Sequence, residues 1–170
     1  MKETGLLFTG EMVRALLDGR KTMTRRLKFS GKVGDRIWVR ETWAKTDQAG
    51  DHKIDAYVVY RATDPVWETM TGWKWQPSIF MPRWASRITL EVTAVKCERL
   101  NDITEEDARS EGIIDGGCLN CGNNEPCGCN NPKPDPRESF IYLWEQINGK
   151  RASWDSNPIV KVISFKRIEE

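Results

Sequence analysis

Residues 87–95 read Arg-Ile-Thr-Leu-Glu-Val-Thr-Ala-Val, and this alternation constrains the fold more tightly than any other stretch. Ile88, Leu90 and Val92 fall on one side of an extended backbone, with Thr89, Glu91 and Thr93 on the other, because successive strand residues point to opposite faces. A helix would scatter the same apolar residues around its circumference. The pattern predicts a half-buried strand, which needs strand partners from elsewhere in the chain. Residues 36–42 repeat it after a Gly31-Lys32-Val33-Gly34-Asp35 turn, with Ile37, Val39 and Glu41 opposed to Trp38, Arg40 and Thr42. Residues 56–62 supply a shorter candidate. Residues 158–168 are apolar on both faces near their start, which predicts a strand at the centre of the sheet.

The helical signals are short. Residues 11–18 place Met12, Val13, Leu16 and Leu17 at helical spacing, with Thr9 as N-cap and Gly19 as the stop. Thr104-Glu105-Glu106-Asp107 resembles a capping box whose acidic first turn suits the helix dipole; that helix runs to about Glu111 before Gly112. Residues 137–148 form an amphipathic helix carrying Phe140, Ile141, Leu143, Trp144 and Ile147. Short strands with a few small helices predict an α+β domain built on a mixed, barrel-like sheet, and exclude a doubly wound parallel one. Residues 1–170 read as one domain. Two irregular stretches read as insertions, a Trp-rich one at about 64–86 and a Cys/Pro-rich one at about 115–136.

The net charge of +1 hides an uneven distribution. Residues 1–45 hold 11 basic and 5 acidic side chains, whereas residues 98–145 hold 4 basic and 11 acidic. A chain held to nucleic acid by bulk charge is excluded. The basic N-terminal quarter can still meet a phosphate-bearing partner, or the two blocks can simply mix on the folded surface. No apolar run approaches the roughly 20 residues that span a bilayer. The first residues lack a secretion signal, so a cytoplasmic protein without a membrane partner is expected.

Four cysteines, Cys118, Cys121, Cys127 and Cys129, lie within twelve residues with Gly117, Gly122 and Gly128 between and beside them. Four thiolates at such spacing can close a tetrahedron around a structural zinc and leave no open position for catalysis. Unmetallated, reduced thiols are the alternative. Cys97, alone near a strand end, reads as buried packing. In the basic run Gly19-Arg20-Lys21-Thr22-Met23-Thr24-Arg25-Arg26, which reads as a loop, three interpretations stand. The arginines can contact phosphate or a base; a desolvated Lys21 can act as base for the Thr24 hydroxyl; or the cations can merely follow a helix C-terminus. Of the eight tryptophans, Trp38, Trp84 and Trp144 read as core. Trp67, Trp73 and Trp75, in irregular chain, are candidates for base stacking. His52 is the sole histidine and lies in a polar stretch, which excludes His-dependent triads.

The run FTGEMVRALLDGRKTMTRR (residues 8–26) resembles the N-terminal signature of the ASCH domain family. VGDRIWVRETW (33–43), MPRWASRI (81–88) and DITEEDA (102–108) are also similar to that family, especially to its phage- and prophage-encoded branch. The resemblance implies a PUA-like β-barrel with short flanking helices, the cysteine-rich zinc segment lying outside its compact core. It implies a cleft for RNA or a modified nucleoside beside the basic motif, lined by Arg20, Arg25, Arg26 and Arg40, with Trp73 and Trp75 available for stacking. Some small bacterial members are amidohydrolases that deacylate N4-acetylcytidine with a lysine, a threonine and a glutamate. Lys21 and Thr24 match the first two, and Glu111 is the best match for the third, with Glu41 as the fallback. Apart from what the resemblance implies, a third reading is a phage accessory protein whose zinc knuckle binds a protein partner.

Overall fold

The computed structural model describes residues 1–45, 58–64, 74–114 and 136–168. Five strands form the main sheet: β1 (Glu3–Leu7), β2 (Met23–Arg26), β3 (Arg36–Arg40), β6 (Thr89–Arg99) and β7 (Ile159–Ile168), in the order β1-β3-β6-β7-β2. β1 runs parallel to β3, and the other neighbours are antiparallel, so the sheet is mixed. β4 (Trp43–Lys45) and β5 (Val58–Tyr60) make a separate two-stranded sheet. Three α-helices, α1 (Gly10–Leu17), α2 (Glu105–Ser110) and α3 (Pro136–Asn148), and three single 3-10 turns, at Ser78–Phe80, Arg83–Ala85 and Leu100–Asp102, complete the described structure. Among the described residues no helix is long and apolar enough to cross a membrane.

The period-2 pattern carries over into burial. Ile37 and Val39 of β3, with Leu90 and Val92 of β6, are almost fully buried and join Phe8, Met12, Val13, Leu16, Ile163 and Phe165 in one core beneath α1. Val160 and Val162, on the opposite side of β7, join Leu100, Ile103, Ala108, Phe140 and Trp144 in a second core under α2 and α3. β7 is apolar on both faces because each face covers a different core, as expected of an interior strand. Asp35, in the turn before β3, accepts the Lys2 and Lys32 backbone N–H groups at 2.8 and 3.0 Å, which fixes the start of β1 against that turn. Those two bonds favour the carboxylate and hold Asp35 below its usual pKa.

Both helix N-caps lie where the sequence places them. Thr9 accepts the Met12 N–H and Thr104 the Asp107 N–H. Several expectations change. Residues 23–26, expected in a loop, form edge strand β2, because its partner is β7 and no local pattern records that pairing. A β-bulge between Val92 and Ala94 moves the inward side of β6 to Val95, and the strand then runs beyond its core. Cys97 is consequently exposed, not buried packing; Lys161 Nζ lies 3.0 Å from its Sγ. Trp144 is core, but Trp84 is 66% exposed and meets Trp43 edge-on at 5.8 Å. Trp38 is half-buried, with the Arg40 guanidinium 5.3 Å from its ring. His52, Trp67, Trp73 and the four clustered cysteines lie outside the described residues.

Candidate functional site

The end of α1 delivers the basic motif to the interior. Asp18 closes the helix, Gly19 turns with φ of 73°, and the Lys21 N–H returns to the Ala15 carbonyl at 3.0 Å. The Thr22 N–H then reaches the Ser110 carbonyl of α2 at 2.9 Å, and its carbonyl accepts from Phe165 of β7 at 3.0 Å. Lys21 is thereby pinned between α1, α2 and β7 before β2 begins. Its Nζ donates to the Glu111 carbonyl at 2.6 Å and to Glu111 Oε2 at 2.7 Å, with both side chains almost fully buried. Burial lowers the Lys21 pKa, while the Glu111 carboxylate opposes that shift.

Gly112 makes the approach possible. Its φ of 95° is costly for a side-chain-bearing residue, and a Cβ there would lie 2.8 Å from Ala15 Cβ and 3.3 Å from Lys21 Cβ. Its carbonyl accepts from Arg20 Nη1 at 3.2 Å, and Arg20 also pairs with Asp18 at 3.0 Å on the surface. A cavity of about 630 Å3 between α1 and α3 is lined by Arg14, Asp18, Arg20, Gly112, Tyr142 and Leu143, among others.

The other Glu111 oxygen, Oε1, lies 3.4 Å from Arg25 Nη1. Arg25, expected as a ligand contact, instead has a fully buried side chain. Glu98 Oε1 accepts from its Nε and Nη2 at 3.2 and 2.6 Å, and Asp107 Oδ2 accepts from Nη2 at 2.7 Å. The Phe140 ring lies beneath the guanidinium, 5.9 Å away. Arg26 is half-buried, donates to the Arg25 and Leu7 carbonyls at 3.1 and 2.9 Å, and lies over the Phe8 ring at 5.2 Å. The Leu7 bond ties edge strand β2 to edge strand β1.

Thr24 is 0% exposed, and its hydroxyl has no hydrogen-bond partner among the described residues. The structure therefore brings Lys21 and Glu111 together but gives no Lys21–Thr24 hydrogen bond. Glu41 belongs to another cluster. Its carboxylate accepts from Arg87 Nε and Nη2 at 2.9 and 3.0 Å, and Arg87 stacks 3.9 Å from the Tyr60 ring centre. Burial raises the Glu41 pKa against the pull of Arg87. Arg40 donates to the Ile79 carbonyl, and Trp75 is half-buried with its indole N–H unpartnered among the described residues.

Sequence reasoning missed Glu98 and Asp107 as partners of Arg25, and Arg87 as the partner of Glu41. The signal for the first pair was present. The basic block at 1–45 and the acidic block at 98–145 meet here, inside the protein and not on its surface.

No protein-family model matches the chain, and no curated protein does. Among solved structures it is similar to an ASCH domain from Lactobacillus crispatus, at 13% identity and a TM-score of 0.47, over 98% of this chain and 79% of that one. It is also similar to a protein from Enterococcus faecalis described as DUF984, at 10% identity and a TM-score of 0.49, over 99% of this chain and 81% of that one.

Proposed function

We propose that this chain is an ASCH-like domain of PUA-like type that binds a nucleoside-sized ligand, free or within RNA, beside Lys21 and Glu111. The motifs at 8–26, 33–43, 81–88 and 102–108 support the family, and their phage-type form supports a phage or prophage origin. The observation that carries the ligand reading is the buried Thr24 hydroxyl, which has no partner among the described residues. Leaving such a group unsatisfied costs on the order of 1–3 kcal/mol, which a ligand carbonyl or amide meeting it would offset. The internal pairing of Arg25 and Arg26 favours a small ligand over an extended phosphate backbone, whose recognition requires cations free to displace counterions.

The same groups favour a second reading, hydrolysis of the exocyclic amide of an N4-acylated cytidine. Neutral Lys21 would take the Thr24 proton as the hydroxyl oxygen bonds to the acyl carbon. Collapse of that adduct would break the carbon–nitrogen bond, with the proton passing to the departing cytidine amine. Water would then cleave the threonine ester to a carboxylate. Burial supports this by favouring the neutral amine, and Glu111 would hold the lysine in place.

Incubation with N4-acetylcytidine is expected to release cytidine and acetate in equal amounts, and both Lys21→Ala and Thr24→Ala should lose at least about a hundredfold in rate. Wild-type protein that binds the nucleoside by calorimetry without turning it over would overturn the hydrolytic reading and leave the binding one. Neither turnover nor nucleoside binding would overturn both. Retention of single-stranded RNA that collapses with added salt would point instead to backbone recognition by the remaining cations.

The spacing of Cys118, Cys121, Cys127 and Cys129 supports a structural zinc, and a zinc knuckle outside the compact core suits a protein partner. Freshly reduced protein is expected to carry about one zinc per chain by elemental analysis. A strongly substoichiometric content would count against the metal.

A further inference from the structure

We propose that Arg25 is a positioning residue for this site: it holds Glu111 by Oε1 so that Oε2 is presented to Lys21 Nζ. The inference rests on the reading of Lys21 and Glu111 as ligand-side groups, and it gives Arg25 a role other than phosphate contact. A carboxylate's terminal torsion is broad and roughly two-fold, so a single partner leaves its orientation loose. Here two cations grip opposite oxygens, Lys21 at 2.7 Å and Arg25 at 3.4 Å.

Arg25 is itself held from three sides. Glu98 on β6 takes two of its nitrogens, Asp107 on α2 takes one of the same, and Phe140 on α3 closes the face of the fork. A planar guanidinium can bridge three carboxylates set apart from one another because its five donors spread over a rigid fork; an ammonium's three donors all radiate from one nitrogen. Two buried cations, Lys21 and Arg25, thus face three carboxylates, and Lys96 meets Glu98 from the solvent side at 2.9 Å.

The arrangement also bears on the lysine's charge. Arg25 draws part of the Glu111 carboxylate away from Lys21, and both Arg25 and Arg26 repel the ammonium, so each favours the neutral amine. Removing Arg25 leaves Glu111 to Lys21 alone and should raise the lysine's midpoint. The Lys21 side chain can be followed directly by NMR titration of protein labelled at lysine Cε, a readout that needs neither ligand nor turnover. The midpoint is expected to rise in the order wild type, Arg25→Lys, Arg25→Gln, by roughly half a pH unit or more in the last.

Arg25→Lys keeps a cation among the carboxylates and serves as the folded comparison if Arg25→Gln does not fold. Where N4-acetylcytidine is turned over, the acidic limb of the rate profile, where the rate rises as Lys21 loses its proton, should move to higher pH in the same order. No rise of the Lys21 midpoint in any folded Arg25 variant overturns the positioning role. Absence of wild-type turnover overturns the hydrolytic reading alone and leaves the titration to decide about Arg25.

Discussion

Glu111→Gln is expected to lower the free energy of unfolding by about 3–5 kcal/mol, because it leaves a buried cation without its counter-charge. The loss falls mainly on Lys21. Arg25 keeps Glu98 and Asp107, whereas Lys21 Nζ retains only the Glu111 backbone carbonyl at 2.6 Å among its described partners. Burying charges requires stripping their water, so a pair of this kind is strongly disfavoured when broken and only weakly favourable when intact. Replacing both partners by apolar residues of similar shape, Lys21→Met with Glu111→Leu, should therefore recover most of the loss. Urea unfolding of wild type, Lys21→Met, Glu111→Leu and the double variant closes the cycle. A Glu111→Gln cost below about 1 kcal/mol would mean that water reaches the pair and that it behaves as a surface salt bridge. The double variant also separates stability from function: it should fold, yet neither bind nor deacylate a nucleoside.

Phe140→Ala is expected to cost about 3–5 kcal/mol, the usual range for removing a buried aromatic ring. Phe140 is 4% exposed and packs against Trp144 and Trp154 at ring separations of 6.3 and 6.5 Å. It also forms the floor under Arg25, so the loss reaches the charged cluster as well as the apolar one. Phe140→Leu keeps much of the volume and should cost less than about 1.5 kcal/mol, while still removing the ring from beneath the guanidinium. Thermal unfolding gives the first comparison. Nucleoside affinity gives the second, and it should fall in Phe140→Leu by more than the small stability change explains. Equal stability losses in both variants would show that the ring's own contacts, and not its volume, carry the stability; an affinity unchanged in Phe140→Leu would show that the ring contributes nothing to the site beyond volume.

The strands with the clearest alternation were legible because their pattern is local and their burial one-sided. Ile37, Val39, Leu90 and Val92 declare themselves in the sequence and form one core in the structure. The caps at Thr9 and Thr104 were legible for the same reason, since a cap is decided within four residues. β1 and β4 were not recognised, and β2 was read as a loop: each is five residues or fewer, and each exists through pairing with distant chain. The bulge that shifts the inward side of β6 to Val95 has no signature in the alternation before it. The site divides similarly. Lys21 and Thr24 were singled out by residue chemistry and again by motif resemblance, and Glu111 by resemblance alone, whereas the burial of Arg25 and its claim on Glu98, Asp107 and Glu111 follow from the close approach of β2 to α2 and β6. Segregated charge pointed to the two blocks mixing on the folded surface, not to their meeting around a buried guanidinium.

Strand order has a bearing on when this site can exist during synthesis. β2, which carries Thr24, Arg25 and Arg26, pairs along its length with β7, where Thr24 faces Ile163 and Arg25 faces Val162. A growing chain therefore exposes its most basic motif long before the strand that shelters it has been made. Until then Arg25 and Lys21 remain hydrated, and their carboxylate partners on β6 and α2 arrive in between. The chemistry-bearing residues are translated early, but their assembly waits for a strand that contributes no charged group to the cluster. Loss of β7 would silence the site without touching any residue in it.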